Sequence, residues 1–391
     1  MDDSEAPLLP AWLAFTLAFD ASARLVQYLR QANPDPAATG RLIRQYQQGD
    51  TLPLCIAMRG KLDTAQLYSL TAPPIEQRIN AALEWQDASP DHHLIGLDDP
   101  GYPALLLDTV DAPPLLYAKG DLKSLQCSAL AIVGSRKASR QSIDLTRKLA
   151  SGMAERNVAI VSGLARGIDA AAHEGALSVG GRTIAVAATE PESVYPKCHT
   201  GLAQRIIDHG GLILTEYPLA APTLRWYFPR RNRIISGISL GVLVAEAGLP
   251  SGTLTTATHA INQGREVMAI PGSVMNPQAR GCHALIKQGA TLVENEQDIL
   301  DALAWPLLRK IESEEASKPR ERTYQGDTKA DTWSAIQPES RVLKALAVAP
   351  STIDDLMTQI DCSVAELTTL LGLLEIDGKI RAGAGGRYTR C

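Results

Sequence analysis

The segment "ALAIVGSRKAS", residues 129–139, decides the fold of this chain. A short apolar run ends in Gly134, and a stretch with helical spacing follows from Ser139 to Glu155. Apolar runs of this length are typical of strands that are buried on both faces, and such strands belong to parallel sheets. The segment therefore predicts the first strand–helix unit of a parallel α/β domain.

The same pattern returns repeatedly toward the C-terminus. Each later apolar run is separated from the next by a stretch with helical spacing. The runs are "VAIVSG" (158–163), "TIAVAA" (183–188), "GLILTE" (211–216), "LGVLVAE" (240–246), "EVMAI" (266–270) and "ATLV" (290–293). Buried strands that alternate with helices imply a parallel sheet covered on both faces. We predict a Rossmann-like, doubly wound domain over residues 92–305.

Three further regions flank this domain. Residues 1–88 contain apolar residues at helical spacing, as in "PAWLAFTLAF" (10–19), and predict a small helical domain. Residues 306–337 are polar and charged and predict a flexible linker. Residues 338–391 contain helical stretches followed by a strand-like, glycine-punctuated end, which predicts a winged-helix domain.

The candidate recognition helix of that winged helix, residues 363–378, is acidic. It carries Glu366, Glu375 and Asp377 and no Lys or Arg. A helix without basic side chains is poorly suited to phosphate contacts. We therefore expect this domain to contact protein rather than to read DNA.

Charge is distributed unevenly along the 391 residues. The net charge of −5 argues against a general nucleic-acid binder. The segment from Gln126 to Ala290, however, carries 17 Lys and Arg against 10 Asp and Glu. A basic middle between acidic ends is consistent with a polyanion site confined to the middle.

Cysteine usage and the N-terminus indicate the compartment. The six cysteines are scattered without paired spacing, which fits reduced thiols and no metal site. The acidic start "MDDSEAPLLPAWLAF" lacks the basic region of a signal peptide, and no apolar stretch is long enough to cross a bilayer. We expect a cytoplasmic protein with no membrane contact.

Ligands of doubly wound sheets bind outside the carboxyl ends of the strands. Gly134, Ser135 and Arg136 follow the first strand, where glycine permits close approach and Arg136 can hold a phosphate. An ordinary strand–helix turn is the better explanation of Gly134 alone, but it explains Arg136 less well than a phosphate contact does. Arg166, between two glycines in "SGLARGID" (162–169), and Lys197, in "YPKCH" (195–199), follow two other strands. We expect these basic side chains to share one edge.

The loop "PSGT" (250–253) has two interpretations. Ser251, Gly252 and Thr253 suit an anion cradle at a helix N-terminus, and they suit an N-cap as well. Asp169 is interpreted as a helix cap and His173 as a packing residue. Both interpretations of the loop remain open at the level of sequence.

The stretch "RWYFPRRNRIISG" (225–237) places arginines beside aromatic rings and directly before apolar residues. Basic side chains with interleaved rings are typical of a single-stranded nucleic-acid groove, in which arginines hold phosphates and bases stack on rings. We therefore assign Phe228, Arg230, Arg231 and Arg233 to such a groove. An alternative is that some of these arginines pair with Glu216 or Glu246, which also follow apolar strands.

No catalytic or cofactor motif is present. The chain lacks G-x-G-x-x-G after its first strand and lacks G-x-x-x-x-G-K-[ST], so a dinucleotide or P-loop triphosphate is disfavoured. It also lacks H-E-x-x-H and G-x-S-x-G. We expect a binding protein without a cofactor rather than an enzyme.

Several long motifs resemble the DNA-processing protein A (DprA, or Smf) family in the family's order. They are "AIVGSRKAS", "VSGLARGIDAAAHEGAL", "YPKCH", "FPRRNRIISG", "EAGLPSGTLTTA", "GREVMAIPGS" and "RGCHALIKQGA". The match covers about residues 95–300, and the flanks also fit, since many members have an N-terminal helical domain of the sterile-alpha-motif type and a C-terminal winged helix.

The resemblance implies a function in natural transformation. Family members bind incoming single-stranded DNA, displace single-strand binding protein, load the RecA recombinase, form dimers through the Rossmann domain and have no known catalysis. The matching positions imply a DNA pocket formed by Gly134, Ser135, Arg136, Lys197, Phe228, Arg230, Asn232 and Arg233. The chain departs from the family where His199 replaces the usual Asn and where "ATEPES" (188–193) lacks the usual glycines.

Two other functions fit parts of the sequence. A nucleotide phosphoribohydrolase of the "lonely guy" type has a related fold, and its motif resembles P-G-G-x-G-T followed by glutamates. When this motif is aligned on Pro250, the chain has Leu254 in place of a motif glycine and Ala257 and Thr258 in place of the glutamates. Without those carboxylates a general base is missing. A transcription factor that reads duplex DNA through the winged helix is disfavoured by the acidic recognition helix.

Overall fold

A computed structural model of the chain describes residues 8–19, 35–48 and 73–303, with further isolated positions. The isolated positions are 25, 54, 70, 346, 352, 356, 367, 371, 374, 380–382 and 388–390. The chain divides into two compact units, Met1–Lys318 and Pro319–Cys391. The predicted linker at 306–337 and most of the predicted recognition helix lie outside the described residues.

The first unit is built on a nine-stranded sheet. Its strands are β1 (His92–Gly96), β2 (Leu115–Gly120), β3 (Ala129–Gly134), β4 (Ala159–Ser162), β5 (Thr183–Val186), β6 (Leu212–Thr215), β7 (Gly241–Glu246), β8 (Glu266–Ala269) and β9 (Thr291–Leu292). Their order across the sheet is β1-β2-β6-β5-β4-β3-β7-β8-β9. The last seven strands in this order, from β6 to β9, are parallel to one another. The predicted doubly wound parallel sheet is confirmed.

The helices of this unit connect and cover the strands. They are α1 (Leu9–Ala18), α2 (Pro36–Gln47), α3 (Pro73–Asp87), α4 (Ala104–Leu107), α5 (Arg140–Glu155), α6 (Ile168–Ser178), α7 (Thr200–Asp208), α8 (Tyr227–Gly237), α9 (Thr253–Asn262) and α10 (Arg280–Lys287). Short 3-10 turns lie at Leu122–Gln126, Lys197–His199 and Pro277–Ala279.

Strand β3 shows why the central strands read as unbroken apolar runs. All six of its residues are buried. Ala131 and Val133 belong to the apolar cluster on one face of the sheet, whereas Leu130 and Ile132 belong to the cluster on the other. A strand covered on both faces has no position for a solvated side chain, which removes the polar alternation of a half-exposed strand.

The N-terminal helices share a core with the edge of the sheet. Trp12 of α1 is fully buried, and its indole N–H donates to Asp98 just beyond β1. Ile43 of α2 and Ile79 of α3 lie in the same apolar cluster as Ile95 of β1. Helices therefore form where the sequence predicted a helical domain, and they pack on the first strands of the sheet.

Two strands at one end of the sheet, β1 at the edge and β2 beside it, depart from the predicted parallel arrangement. Strand β1 pairs antiparallel with β2, and β2 pairs antiparallel with β6. The apolar runs from which the sheet is predicted begin at residue 129, so they include neither of these two strands. Antiparallel edge strands on a largely parallel sheet are common because an edge strand requires no crossover helix.

The strand order reverses beside β3. Strands β4, β5 and β6 extend from one side of β3, and β7, β8 and β9 extend from the other. The connections after β3 and β7 therefore leave the sheet on opposite faces and open a crevice at the carboxyl ends of these strands. Gly134 and Glu246 are register partners at that point.

The described residues of the second unit include a hairpin. Strands β10 (Ile380–Ala382) and β11 (Tyr388–Arg390) pair antiparallel. Leu367, Leu371 and Leu374 have helical backbone and are buried, and their spacing places them on one helical face.

Within the residues described, no helix combines the length and the apolar character that a bilayer span needs.

Candidate functional site

A cavity of about 650 Å³ opens in the crevice between the ends of β3 and β7. Four connections and the start of α8 form its wall. The lining residues are Val133, Gly134, Ser135, Arg136, Lys137, Ala165, Asp169, Phe228, Pro229, Arg231, Asn232, Ile235, Gly248, Leu249, Pro250, Ser251, Gly252, Thr253, Thr256, Pro277 and Gln278. We call this space the first cavity.

The loop after β3 supplies exposed positive charge. The backbone N–H of Ser135 donates to Glu246 O (2.7 Å), which fixes the loop against β7. Arg136 and Lys137 are exposed at the cavity mouth. The guanidinium carbon of Arg136 lies 5.7 Å from the centre of the Phe228 ring, within the range of a cation–π contact.

The turn after β4 packs directly against this loop. Gly167 has a φ of +79°, and a Cβ there would collide with the carbonyl oxygen of Ser135. Only glycine combines this backbone conformation with such close approach. Gly163, at the other end of the turn, leaves room for the Arg231 guanidinium and the Asp169 carboxylate. The glycines of "SGLARGID" therefore shape the wall, and Arg166 between them is exposed.

A second, smaller cavity of about 40 Å³ adjoins the first. Tyr195, whose side chain is 51% exposed, meets the Phe228 ring edge-on at 5.2 Å between ring centres. The lining residues are Arg136, Gly163, Ala165, Arg166, Tyr195, Pro196 and Phe228. Because Arg136 and Phe228 line both cavities, they form the partition between them.

Helix α8 presents different side chains on its two faces. Phe228, Asn232 and Ile235 line the first cavity. Arg233, 3% exposed, lies away from it, and its Nη2 is 2.5 Å from Glu216 Oε2. Arg230 lies 3.6 Å from the same oxygen. The buried Glu216 thus anchors this face of α8, and the predicted alternative of an arginine pairing with Glu216 is confirmed.

Arg231 braces the floor of the first cavity. It is 4% exposed, and its Nη1 donates to the carbonyl oxygens of Gly163 (2.9 Å) and Val186. The side chain therefore joins α8 to the ends of β4 and β5. Burial lowers the pKa of Arg231 to about 10, so the guanidinium is still charged at neutral pH.

Asp169 lies beside Arg231 in the floor. Its Oδ2 accepts from the backbone N–H groups of Gly163 (3.1 Å) and Ala165 (3.3 Å). Burial raises its pKa above the ordinary value, although Arg231 and these two N–H groups oppose the shift. The carboxylate secures the turn before α6 instead of capping the first N–H groups of the helix.

The "PSGT" loop begins α9 at the opposite wall. No side chain caps this helix, although Ser251 Oγ accepts from Thr253 N (3.2 Å). Thr253 Oγ1 donates to Gly134 O (3.1 Å), and Asn232 Nδ2 donates to Thr255 Oγ1 (2.7 Å). The positive end of the α9 dipole therefore points at the cavity and is held there from two sides.

Glu246 binds the start of helix α5 and does not pair with an arginine of α8. Its carboxylate accepts from Ser139 N, from Ser139 Oγ (2.7 Å) and from Ser142 Oγ (2.7 Å) at the start of α5. Among the described residues it has no arginine partner. That expectation was wrong because an acidic side chain at a helix N-terminus is stabilised by the free N–H groups there.

The structure brings most of the predicted site residues together. Of the basic ones, Arg136 and Arg166 line the cavities with exposed side chains. Lys197, Arg230 and Arg233 line neither cavity. Lys197 is exposed in a 3-10 turn beyond Tyr195. The other predicted residues, Gly134, Ser135, Phe228, Arg231, Asn232, Ser251, Gly252 and Thr253, line the first cavity.

Sequence reasoning missed part of the wall. Pro277 and Gln278 reach the first cavity from the loop after β8, and Leu249 does so from the loop after β7. The strand-end rule applied to "EVMAI" would have pointed to the loop after β8. That loop carries no basic side chain between β8 and the following 3-10 turn, so charge gives no indication of a site there.

Family models match both parts of the chain. The model described as DNA recombination-mediator protein A matches residues 93–304, and the one described as DprA winged helix domain matches residues 328–386. The second match confirms the predicted winged helix. It covers residues of which the structure describes only isolated positions.

Relatives agree with this pattern. Protein Smf of Escherichia coli strain K12 is 41% identical over 312 residues, 80% of either chain. DNA processing protein DprA of Streptococcus pneumoniae strain R6 is 47% identical over 204 residues, 52% of this chain and 71% of the relative. The X-ray structure of DprA from Streptococcus pneumoniae matches with a TM-score of 0.54 at 36% identity, covering 71% of this chain and 96% of that one.

Proposed function

Because the chain belongs to the DNA recombination-mediator protein A family, we propose that it binds single-stranded DNA across the two cavities. One strand would place neighbouring nucleotides on either side of the partition formed by Arg136 and Phe228. The first cavity, beside the N-terminus of α9, would take the larger share of the contacts. Arg166 and Tyr195 would hold the strand at the second.

The partition is the single observation that carries this proposal. A guanidinium 5.7 Å from an aromatic ring joins the two groups that a nucleotide needs, a cation for the phosphate and a π-face for the base. Tyr195 adds a second, half-exposed ring on the far side of Phe228. Alternating cations and rings along a groove are how proteins hold single strands with little sequence preference.

Electrostatics favours an anionic ligand at the same place. Arg136, Lys137 and Arg166 are exposed around the cavities, and the α9 dipole presents its positive end to the first. These charges act together because the strand ends converge on one edge of the sheet. The acidic remainder of the chain would direct DNA toward this edge by repelling it elsewhere.

The shape of the site supports a preference for single strands. Phe228 is part of the cavity wall and is only partly exposed. A base reaches a ring in such a position only when it is free of its own stack. Paired bases in a duplex would have to unstack first, which costs a few kcal/mol per base.

The wider function rests on the resemblance described for the motifs. We propose that the protein acts in natural transformation in the cytoplasm, where it displaces single-strand binding protein from incoming DNA and loads RecA. We also propose that it works as a homodimer through the Rossmann domain.

We propose that the site does no chemistry. Among the described residues that line the first cavity, Asp169 supplies the only carboxylate. Backbone N–H groups already engage its Oδ2, and the positions of the hydrolase glutamates hold Ala257 and Thr258. A nucleotide hydrolase would need a carboxylate or another base free to activate water.

The test is fluorescence anisotropy with labelled single-stranded and duplex oligonucleotides. Arg136→Ala should weaken single-strand binding about 10-fold, the effect of roughly 1.4 kcal/mol, because one phosphate contact and one cation–π contact are lost. Melting temperature should be unchanged because Arg136 is exposed.

Arg156→Ala is the matched control. This substitution removes the same charge as Arg136→Ala. Arg156, however, lies just past the C-terminus of α5, at the end of the sheet opposite the cavities, where it pairs with Glu296 at 2.9 Å. Equal weakening by both variants would mean that only net charge matters. Duplex binding as tight as single-strand binding, or release of base from a nucleotide, would instead support the duplex reader or the hydrolase.

A further inference from the structure

The connection from β5 to the second cavity, residues 187–196, is here called the β5 loop. Its conformation is held by side chains. Thr189 Oγ1 donates to Ser193 O (2.5 Å), and Ser193 Oγ donates to Glu190 (2.5 Å). Thr215 of β6 donates to Thr189 O (2.7 Å). Hydrogen bonds within the segment "ATEPES" (188–193) therefore hold the loop in place. This is the segment that lacks the glycines usual in the family.

Glu192 projects from this loop to the far edge of the sheet. The indole N–H of Trp85 donates to its Oε1 (2.7 Å), and Lys119 Nζ donates to both carboxylate oxygens (3.0 and 3.1 Å). Partial burial raises the pKa of Glu192, but the donors Trp85 and Lys119 outweigh it and hold the pKa below its ordinary value. The carboxylate is thus ionised and held by two neighbours at neutral pH.

The Trp85 donor is itself rigidly placed. Its ring stacks on His92 with 4.3 Å between centres and 10° between planes, and its carbonyl oxygen bonds to His92 Nδ1 (2.8 Å). The centre of the Tyr117 ring lies 5.6 Å from that of Trp85, with 57° between the planes. Trp85 lies in α3, ahead of the residues that the family model matches. Helix α3, which lies outside the residues matched by the family model, therefore binds the β5 loop through Trp85 and Glu192.

Only two residues, Ser193 and Val194, separate Glu192 from Tyr195. Tyr195 and Pro196 line the second cavity, and Tyr195 contacts the Phe228 ring of the partition. The loop is short and internally bonded, so a displacement at Glu192 passes to Tyr195. We propose that Glu192 is a positioning residue through which α3 holds Tyr195 against the partition. The N-terminal helical segment thereby increases affinity for DNA without touching it, an inference that rests on the proposed function.

The strength of the contact decides between positioning and an incidental surface pair. Half-exposed Lys–Glu pairs contribute little on their own because solvent screens them. A hydrogen bond from a buried indole to a carboxylate is stronger, and Trp85 has no freedom to follow a moving loop. Trp85→Phe removes this donor and one of the two fused rings, and it keeps an aromatic ring next to His92. Glu192→Ala removes the acceptor of the same hydrogen bond and leaves the Trp85 ring intact.

The first experiment measures affinity for a labelled oligothymidylate by anisotropy. Trp85→Phe and Glu192→Ala should each weaken binding about 2-fold to 30-fold, the range typical of residues that act through a neighbour. Glu174→Gln is the control, since Glu174 is a surface carboxylate paired with Arg147 (2.6 Å) on α5. Unchanged affinity in Trp85→Phe and Glu192→Ala would overturn the proposal.

Double-mutant cycles separate positioning from general loosening. Trp85→Phe should be non-additive with Tyr195→Ala, since both act on the second cavity, and additive with Ser251→Ala at the first. A merely structural role for Trp85 would give additive effects with both partners, or equal coupling to both, and either pattern would contradict the proposal.

A measurement without DNA keeps this inference distinct from the proposed function. Hydrogen exchange of the backbone amides of 189–195, apart from Pro191, should accelerate in Trp85→Phe, while that of the α9 amides stays unchanged. If wild type binds no oligothymidylate, the proposed function fails whatever the exchange shows. If wild type binds and exchange accelerates with no loss of affinity, α3 holds the loop but the positioning role is refuted.

Discussion

Arg233 and Glu216 form an ion pair in the interior of the protein, with Nη2 2.5 Å from Oε2 and side-chain exposures of 4% and 0%. Asp111 approaches the same guanidinium from the partly exposed side, 3.6 Å from Nε. The arginine-rich start of α8 thus serves two purposes. Its cavity face carries Phe228 and Asn232, and its opposite face fixes the helix to the end of β6.

Arg233→Ala should destabilise the protein by about 3–5 kcal/mol, because it leaves the Glu216 charge buried with a weaker partner. Any loss of DNA binding should follow from unfolding and should disappear at temperatures where the variant is fully folded. Urea denaturation followed by far-UV circular dichroism measures the change in the free energy of unfolding.

The double variant Arg233→Met with Glu216→Leu tests the reason for this loss. Removing both charges removes the buried unpaired carboxylate, so we expect the double variant to be more stable than Arg233→Ala. If Arg233→Ala folds like wild type and loses DNA affinity as strongly as Arg136→Ala, then Arg233 is a DNA ligand after all.

Salt dependence should report the phosphate contacts. For about four phosphates neutralised, the plot of log affinity against log salt should have a slope of roughly −3 for single strands. Arg136→Ala should make this slope shallower by about 0.7, because one fewer counterion site is released. Arg156→Ala should leave the slope unchanged. A slope near zero in wild type would remove the electrostatic basis of the site.

Phe228→Ala should weaken single-strand binding by about 1–3 kcal/mol through loss of base stacking. Phe228→Tyr keeps the ring and should bind nearly as wild type, whereas Phe228→Leu keeps apolar bulk and should resemble alanine. An abasic oligonucleotide supplies the matched ligand control in the same anisotropy assay. If Phe228→Ala weakens binding of the abasic strand as much as the normal one, the ring does not stack on bases.

The central sheet was predictable because strands buried on both faces have apolar side chains at nearly every position. Strand β3 has an apolar side chain at each position before Gly134, and the glycine coincides with the cavity. Strand β1 was missed because "HHLIG" begins with two histidines, and its partly exposed first half lacks that signal. Its place at the sheet edge comes from pairing with β2, which is a tertiary preference.

The site was predictable to the level of loops and less so to the level of side chains. Strand-end loops converge by topology, so Arg136, Arg166 and Ser251 could be grouped from sequence. Which way Arg231 and Arg233 point depends on the rotation of α8, which Glu216 and the carbonyl oxygens of Gly163 and Val186 fix from other elements. In a helical stretch that is polar on nearly every face, the sequence pattern does not show which face is buried.

His173 provides a prediction on stability against pH. The residue is fully buried in α6, and Thr183 donates its hydroxyl hydrogen to Ile160 O (2.7 Å). The Thr183 oxygen must therefore accept from His173 Nδ1 (2.7 Å), which leaves His173 Nε2 unprotonated, buried and without a partner. A second proton on this ring would be charged and unbonded in the interior.

Burial accordingly lowers the pKa of His173 to about 3, and the positive charges of His199 and Arg231 add to the effect. An unfolded histidine titrates near 6.5, so between these values the unfolded state binds the extra proton. Stability is therefore fully present above about pH 6.5 and falls by about 1.4 kcal/mol per pH unit as the pH drops toward 3. His173→Leu should lower stability at pH 7 and flatten the fall in acid.

Urea midpoints from pH 7 to pH 4 measure this difference. His209→Gln is the control, because His209 is an exposed residue at the end of α7 that bonds to Arg205 O, and its removal should leave the acid slope as in wild type. Parallel acid slopes for wild type and His173→Leu would show that His173 takes up its proton without unfolding. His173 Nε2 would then have to be reached by solvent in the native state, which its complete burial does not allow.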